Sequence, residues 1–204
     1  AGAHIMAVVS GLYADPVSAG VREYLTNMHD AYVALGGGKL PQSYVPPVLS
    51  LPTMMEPFIE FKDFGIGMSK DTVFDVYTQY GNSTKNDSNA EVGGFGLGSK
   101  AAFCYNGGSM WTVESRYQGE KHMFMATIGE DGIPSMMYVG TEPTSEPSGL
   151  TVRIPVNQKD ISEFTRYGHL FAQFFDLDLV IMGAQPSYTP RRLADVSAAF
   201  AGPT

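Results

Sequence analysis

The feature that most restricts how this chain folds is a glycine-rich stretch near its middle, from Val92 to Phe103. Three glycines occupy alternate positions, Gly94, Gly96 and Gly98, and a run of small, helix-compatible residues follows them. Because glycine lacks a Cβ atom, its backbone N–H groups approach an anion closely and positive φ angles carry no steric penalty. A helix that begins directly after such a turn presents unpaired N–H groups to a phosphate. Taken alone, the stretch is compatible with a phosphate-binding loop and with a plain flexible turn.

The charge balance and residue usage exclude several classes of protein. The chain has 204 residues, enough for one domain with a substantial core. A formal charge of −8 argues against a general nucleic-acid surface, so a polyphosphate ligand must be neutralised locally by backbone N–H groups, a metal ion or a few lysines. The single cysteine excludes a disulfide framework. No apolar run reaches the ~18 residues of a membrane-spanning helix.

A long helix is predicted near the start of the chain. Asp15 is a typical N-cap residue, and Pro16 suits the first helical position. Apolar residues then recur at steps of three and four, and the pattern stops at the glycines that begin with Gly36. The apolar positions share one face: Val17, Val21, Tyr24, Leu25, Met28, Tyr32 and Leu35.

The opposite side of that helix has a narrow polar arc formed by Glu23, Asn27 and Asp30. One interpretation is a solvated polar face, which is the usual case for such an arc. The other is a carboxylate, an amide and a second carboxylate directed together into a pocket. The helix by itself favours the solvated face.

The segment between the helix and the glycine stretch contains one clear strand. Phe58 to Phe61 predicts a short strand that runs into Asp63 and a glycine turn, and Ser69 is suited to cap a short helix after it. The proline-rich residues 39–56 predict a covering loop with one short strand. Tyr80 to Ala90 is polar and lacks an apolar period, which indicates either a disordered insertion or a mobile lid; its place between two glycine motifs favours the lid.

The second half of the chain changes to a period of two, which is typical of strands. Gln118-Gly119 separates the first two strands as a turn, and Asp160 with Glu163 predicts a capping box at the start of a helix. Helices at the front, an antiparallel meander behind and a helix near the end predict an α+β sandwich of one sheet under one helical layer. The predicted strands are Met110 to Tyr117, Lys121 to Ile128, Ile133 to Val139, Gly149 to Ile154 and Leu177 to Met182.

Four segments occur in an informative order: Arg22 to Ala31, Asp63 to Ser69, Gly93 to Gly98 and Gly149 to Val152. They resemble the N box, the first and second glycine boxes and the late-threonine strand of the GHKL ATPases, the group of DNA gyrase, the Hsp-type chaperone, histidine kinases and MutL. One box alone is a weak match, but four in the family's order are specific. The resemblance spans about residues 15 to 155 and favours the pocket interpretation. It implies the Bergerat fold, a two-layer α/β sandwich whose mixed, mostly antiparallel sheet lies under a helical layer.

The resemblance implies that ATP and Mg²⁺ are the ligands, and it assigns the base end of the site first. Asp63 would accept a hydrogen bond from the adenine amino group. Gly65 and Gly67 would allow the backbone close to the base, and Met68 would pack on its face or be a plain core methionine. Thr151 would hold the adenine side directly or through water.

The phosphate end is assigned in the same way. Glu23 would orient and deprotonate the attacking water as general base, Asn27 would give Mg²⁺ a side-chain oxygen, and Asp30 would support the site. Either Lys85 or Lys100 would reach a phosphate as a point charge, or both are ordinary surface lysines. The second glycine box would surround the phosphates through Gly94, Phe95, Gly96, Leu97, Gly98, Ser99 and Lys100.

The resemblance also carries expectations for the whole protein. Within the family, the sequence from Tyr80 to Phe103 is most similar to bacteriophage proteins of the rIIA protector type. We expect residues 1–6 to be an expression-vector remnant and residues 7–204 to be one ATP-binding domain, with its lid at about 78–93, from the N-terminal part of a longer protein. The expected location is the cytoplasm, the host's if the origin is a phage, with peripheral membrane association left open.

Two hypotheses for the function follow. In the first, the domain is a Mg²⁺-dependent ATPase whose lid closure couples ATP to self-association or to a protein partner through downstream domains. In the second, it is a nucleotide-responsive interaction module that binds ATP with little or no hydrolysis. The family's transducer domain, which supplies a lysine to the γ-phosphate in gyrase and MutL, has no counterpart in this sequence, so slow turnover is expected of the isolated domain.

Overall fold

The computed structural model describes residues 15–78, 102, 105, 110–128 and 134–183. The predicted lid from residue 79 onwards and the second glycine box lie outside these ranges. The helices of the described part are α1 (Pro16–Leu35), α2 (Lys70–Thr78) and α3 (Ile161–Ala172), with a 3₁₀ turn at Gln158–Asp160 directly before α3. The strands are β1 (Val48–Ser50), β2 (Phe58–Lys62), β3 (Trp111–Tyr117), β4 (Glu120–Ile128), β5 (Pro134–Pro143), β6 (Gly149–Pro155) and β7 (Val180–Met182).

The seven strands form one mixed sheet in the order β5-β4-β3-β6-β2-β1-β7. Every neighbouring pair is antiparallel except β1 and β7, which run parallel at one edge. The helices lie on one face of this sheet: Tyr24 of α1 stacks on Phe61 with ring centroids 5.2 Å apart, and Phe74 of α2 packs edge-on against Phe124 at 5.5 Å. The predicted α+β sandwich of one sheet under one helical layer is therefore confirmed.

Helix α1 has the ends that its sequence predicts. The side chain of Asp15 accepts a hydrogen bond of 3.0 Å from the backbone N–H of Ser18, and its second oxygen accepts one of 2.5 Å from the hydroxyl of Tyr167 in the middle of α3. The helix ends before Gly36, and Gly37 and Gly38 follow with positive φ. The N-cap thus also ties α1 to α3. None of the helices within the described ranges is long and apolar enough to cross a membrane.

Three local predictions differ from the structure. The last strand, β7, begins at Val180, three residues after its predicted start at Leu177. Strand β5 continues to Pro143, four residues beyond the predicted end, because it pairs with β4 along its whole length around a bulge at Met123/Phe124. The capping box at Asp160 is wrong: this residue ends the 3₁₀ turn with helical φ of −100° and ψ of −4°, and its side chain makes no capping bond. Its carboxylate instead accepts a hydrogen bond of 2.7 Å from the hydroxyl of Tyr105.

Candidate functional site

The turn after β2 packs directly on helix α1. The hydroxyl of Tyr32 donates to the carbonyl oxygen of Val45 (2.6 Å) and accepts from the backbone N–H of Phe64 (3.0 Å). A Cβ atom at Gly65 would lie 2.7 Å from the Cβ of Ala31, so a side chain does not fit between turn and helix. The first predicted glycine box and the N-box helix are therefore in contact, as the predicted site requires.

Asp63 is the buried acid of this turn. Its Oδ1 accepts hydrogen bonds from the backbone N–H groups of Gly65 (2.9 Å) and Leu150 (3.2 Å). Its Oδ2 accepts no hydrogen bond from the residues that the structure describes. Burial raises the pKa of Asp63 to about 6, although both N–H groups and the charge of Arg116 act in the opposite direction. The arrangement fixes one carboxylate oxygen and leaves the other available to a ligand that donates a hydrogen bond.

Two glycines allow three chain segments to meet behind this carboxylate. Gly67 has φ of +67°, and a Cβ there would lie 2.1 Å from the carbonyl oxygen of Arg116. Gly149 has φ of +147°, and a Cβ there would lie 2.1 Å from the carbonyl oxygen of Asp63. Within the described residues, the close approach that explains Gly67 is therefore made to the backbone of β3.

Met68 is held through its backbone. Its N–H donates to the hydroxyl oxygen of Ser115 (2.9 Å), and that hydroxyl donates to the carbonyl oxygen of Met68 (2.6 Å). The side chain is partly buried and packs against the hydrophobic core. This packing favours the interpretation of Met68 as a core methionine over a residue that lies on the face of a base.

Thr151 lies on the other face of the sheet. Successive side chains of a strand alternate between faces, and its neighbour Val152 belongs to the core under the helices. The hydroxyl of Thr151 accepts a hydrogen bond of 2.7 Å from Nη1 of Arg116, whose side chain shares that outer face. Asp63 continues the alternation of Ile59 and Phe61, which are both core residues, and so points to the helical face. The structure does not bring the side chains of Thr151 and Asp63 together.

The predicted phosphate end lies along α1. Glu23, Asn27 and Ala31 are spaced four residues apart on one strip of the helix, and Ala31 is the residue that contacts Gly65. Glu23 and Asn27 are half-buried, and Asp30, on the adjacent strip, is buried with its carboxylate 3.6 Å from Nδ1 of His29. These three polar residues therefore do not form a solvated face.

The acid proposed as general base already has a partner. Oε1 of Glu23 accepts a hydrogen bond of 3.0 Å from Nη2 of Arg22, whose side chain is 56% exposed. Because the side chain of Arg22 is largely solvated, this ion pair is weak and easily exchanged.

The donor set fits Mg²⁺ better than a metal held wholly by protein. In the described ranges, no three or more His, Cys, Asp or Glu side chains form a group that could hold a metal ion. Mg²⁺ keeps several waters and phosphate oxygens and needs one or two protein oxygens, so the amide of Asn27 is a sufficient protein ligand next to a triphosphate.

The remaining predicted contacts lie outside the residues that the structure describes. They are the second-box residues Gly94, Phe95, Gly96, Leu97, Gly98, Ser99 and Lys100, together with Lys85. Their roles at the phosphates stay predictions.

Sequence reasoning missed Arg116. In the sequence it shares one strand face with the polar residues Thr112 and Glu114. Trp111 and Val113 lie on the other face, so the pattern is that of a solvent-facing strand residue. In the structure its side chain is 1% exposed. No signal in a single sequence identifies this burial, because the acceptors of its guanidinium come from segments 31 or more residues away.

The described residues form a two-layer α/β domain with one mixed, mostly antiparallel sheet under a helical layer. The model of the family "Histidine kinase-, DNA gyrase B-, and HSP90-like ATPase" matches residues 50–135, which include Asp63 and both glycine boxes. No curated protein matches the chain. Residues 50–135 are therefore similar to a GHKL-type ATPase domain, and ATP binding is the property expected of that family.

Proposed function

We propose that this domain binds ATP with Mg²⁺ and hydrolyses it, with the adenine at Asp63 and the phosphates along α1. The observation that carries the proposal is the buried carboxylate of Asp63, which has one oxygen fixed and lies where the turn meets α1. From that contact, the strip of Ala31, Asn27 and Glu23 leads along the helix in the order that adenine, metal and γ-phosphate require.

The base end recognises the exocyclic amino group of adenine. Oδ2 of Asp63 accepts its hydrogen bond, and the ionised carboxylate makes this bond stronger than one between neutral groups. The backbone N–H groups of Gly65 and Leu150 hold Oδ1, so the carboxylate is already oriented before the ligand arrives. Because Thr151 is bonded to Arg116, we assign it a supporting role behind the pocket in place of a direct adenine contact.

The phosphate end supplies the chemistry. Asn27 would hold Mg²⁺, which neutralises charge on the triphosphate when bound. Glu23 orients a water molecule and takes its proton during attack on the γ-phosphate, after its carboxylate leaves Arg22. Asp30 supports Asn27 from the next strip of the helix. Phosphate contacts from the second glycine box, and from Lys85 or Lys100, complete the proposal.

The wider context belongs to the same proposal. We infer that a lid at about residues 78–93 closes on ATP and couples it to self-association or to partner domains of a longer protein. The similarity of residues 80–103 to rIIA-type proteins supports a phage protein that acts in the host cytoplasm. Residues 1–6 would not belong to the domain.

A second candidate function is a nucleotide-responsive interaction module with little hydrolysis. The ion pair between Arg22 and Glu23 favours it, because the carboxylate assigned as general base is bonded to an arginine and does not orient a water molecule in this arrangement. In this case ATP acts as a conformational ligand, and the acidic surface serves a protein partner.

Three measurements on the same protein test these functions. Calorimetry with Mg-ATP and with a non-hydrolysable analogue measures binding, a melting curve measures stabilisation by the ligand, and phosphate release measures turnover. Binding with turnover supports the ATPase, and binding of both ligands without phosphate release supports the interaction module. If neither ATP nor its analogue binds or raises the melting temperature, both functions are rejected.

A further inference from the structure

The side chain of Arg116 is a buried cation that connects the segments around Asp63. It is 1% exposed. Nη2 donates to the carbonyl oxygen of Asp63 (2.6 Å), Nη1 to the hydroxyl of Thr151 (2.7 Å) and Nε to the carbonyl oxygen of Pro147 (3.1 Å). Burying a charge is costly unless the group is fully hydrogen-bonded, and each guanidinium nitrogen here has an acceptor. The guanidinium therefore has a fixed position relative to all three segments.

Two of these segments also hold the carboxylate of Asp63. Asp63 Oδ1 accepts from the N–H of Leu150, and Leu150 lies between Gly149 and Thr151 in β6. Arg116 bonds the backbone of Asp63 on one side and the strand that carries Leu150 on the other. Since the guanidinium is a rigid planar fork, it sets the spacing of the two chains between which the carboxylate is held.

Arg116 performs this role from the face opposite to the ligand. Its neighbour Ser115 points to the helical face, where it bonds the backbone of Met68, so Arg116 points away from that face. On that side, the carboxylate of Glu146, which is 47% exposed, lies 4.0 Å from Nε of Arg116. The charge of Arg116 thus acts on Asp63 without contact between the two side chains.

We propose that Arg116 is a positioning residue for base recognition: it fixes the carboxylate of Asp63 in the orientation that accepts the amino group of the base. This inference rests on the proposed adenine site. Thr151 contributes to the same positioning, because its hydroxyl accepts a hydrogen bond from Nη1 of Arg116.

The charges that surround Asp63 provide a second measurable consequence of this proposal, the pKa of Asp63. Arg116 on β3 lowers the pKa of Asp63, whereas burial raises it. Among the described residues, Tyr32 on α1 and Tyr77 on α2 also interact with the charge of this acid, and burial raises the pKa of both phenols, so they stay neutral between pH 5 and 8. Removal of the guanidinium charge should therefore raise the pKa of Asp63.

The test compares ATP with ITP, which has a keto group in place of the 6-amino group. Calorimetry gives both affinities for the wild type, Arg116→Gln, Arg116→Lys and Thr151→Val. We expect the preference for ATP over ITP to fall about tenfold in Arg116→Gln and about threefold in Thr151→Val, because a displaced carboxylate no longer distinguishes the two bases. We also expect the pH midpoint of ATP binding to rise in Arg116→Gln and to stay near the wild-type value in Arg116→Lys, which keeps the charge.

A matched control is Arg153→Gln, which removes an arginine from the neighbouring strand that is 50% exposed and bonded to Glu60. It should leave both affinities unchanged. An unchanged preference and an unchanged pH midpoint in folded Arg116 variants would overturn the inference, as would an equal loss of ATP and ITP affinity. If Arg116→Gln does not fold, the preference of Thr151→Val for ATP over ITP tests the inference, and an unchanged preference overturns it. Failure of the wild type to bind ATP would reject the proposed function, which is a different result.

Discussion

The two ends of the proposed site are built differently. At the base end, Asp63 is buried, its Oδ1 has two backbone donors, and the segments around it are joined by Arg116 and by glycines that leave no space for a side chain. At the phosphate end, Glu23 and Asn27 lie half-buried on one helix, and the partner of Glu23 is an exposed arginine.

This difference indicates that the two ends of the proposed site have different roles in binding and in turnover. Because the base end is pre-organised, we expect it to contribute affinity and selection among bases at little cost in ordering. We expect the phosphate-end residues of α1 to form their productive contacts after a ligand is present, as a conformational response to ATP requires. Changes at the base end should therefore alter binding and folding, and changes at the phosphate end should alter turnover.

The largest expected effect is on turnover. Glu23→Ala should lower ATP hydrolysis by about 100-fold or more, the usual contribution of a general base, and change ATP affinity by less than about threefold. Phosphate release and calorimetry measure the two quantities separately. Glu163→Gln, which changes an exposed acid on α3, is the control. Hydrolysis that continues at the wild-type rate in Glu23→Ala would show that the assigned base is wrong.

Asp63→Asn should have the next largest effect, which is a loss of ATP affinity. We expect ATP affinity to fall about 100-fold, because a charge-assisted hydrogen bond in a buried site is lost. In the wild type, ATP affinity should decrease as the pH falls below about 6, where Asp63 becomes protonated. Affinity that is independent of pH between 5 and 8 would contradict the assignment of Asp63 as the acceptor.

The same substitution should stabilise the fold. Since the pKa of Asp63 is raised in the folded state to about 6, the folded chain holds this proton more tightly than the unfolded chain. The ionised acid therefore reduces the free energy of unfolding as the pH rises from about 4 to 6, and the reduction is complete at pH 7. A neutral amide removes it, so chemical denaturation at pH 7 should show Asp63→Asn to be more stable by up to about 3 kcal/mol. A less stable variant would show that the carboxylate contributes to the fold.

A pair of glycine substitutions tests how tightly the base end is packed. Gly67 and Gly37 have nearly equal φ angles, +67° and +69°, but a Cβ at Gly67 meets the backbone of Arg116, whereas at Gly37 nothing lies within 4 Å. Gly37→Ala should lower the free energy of unfolding by about 1 kcal/mol, the cost of the left-handed conformation. Gly67→Ala should cost about 2 kcal/mol more and reduce ATP affinity. Equal losses in the two variants would mean that the segments behind Asp63 are not tightly packed.

The smallest effect on stability is expected at Arg22. Arg22→Ala breaks an exposed ion pair and should change the free energy of unfolding by less than about 0.5 kcal/mol. If the domain is an ATPase, turnover should stay equal or rise a few-fold because the carboxylate of Glu23 is released. A tenfold fall in phosphate release would instead give Arg22 a direct role at the phosphates.

Local physical chemistry determined much of this fold. The limits of α1 follow from the acid that precedes Pro16 and from the glycines after Leu35, because caps act within one turn of the helix. The turn at Gln118-Gly119 was predicted, and both residues have the positive φ of a two-residue hairpin. The proposed site residues of α1 and of the first glycine turn were also predicted from the sequence, because both segments resemble those of a known family.

Tertiary structure decided the rest. Asp160 was expected to cap its helix, and a tyrosine distant in sequence takes its carboxylate instead. Thr151 lies on the sheet face opposite to the helices because the face of a strand residue depends on register, and a shift of one residue reverses it. Arg116 is buried because three distant segments supply its acceptors. Hydrogen bonds within a few residues are encoded locally, whereas the partners of a buried charge exist only after distant segments have come together.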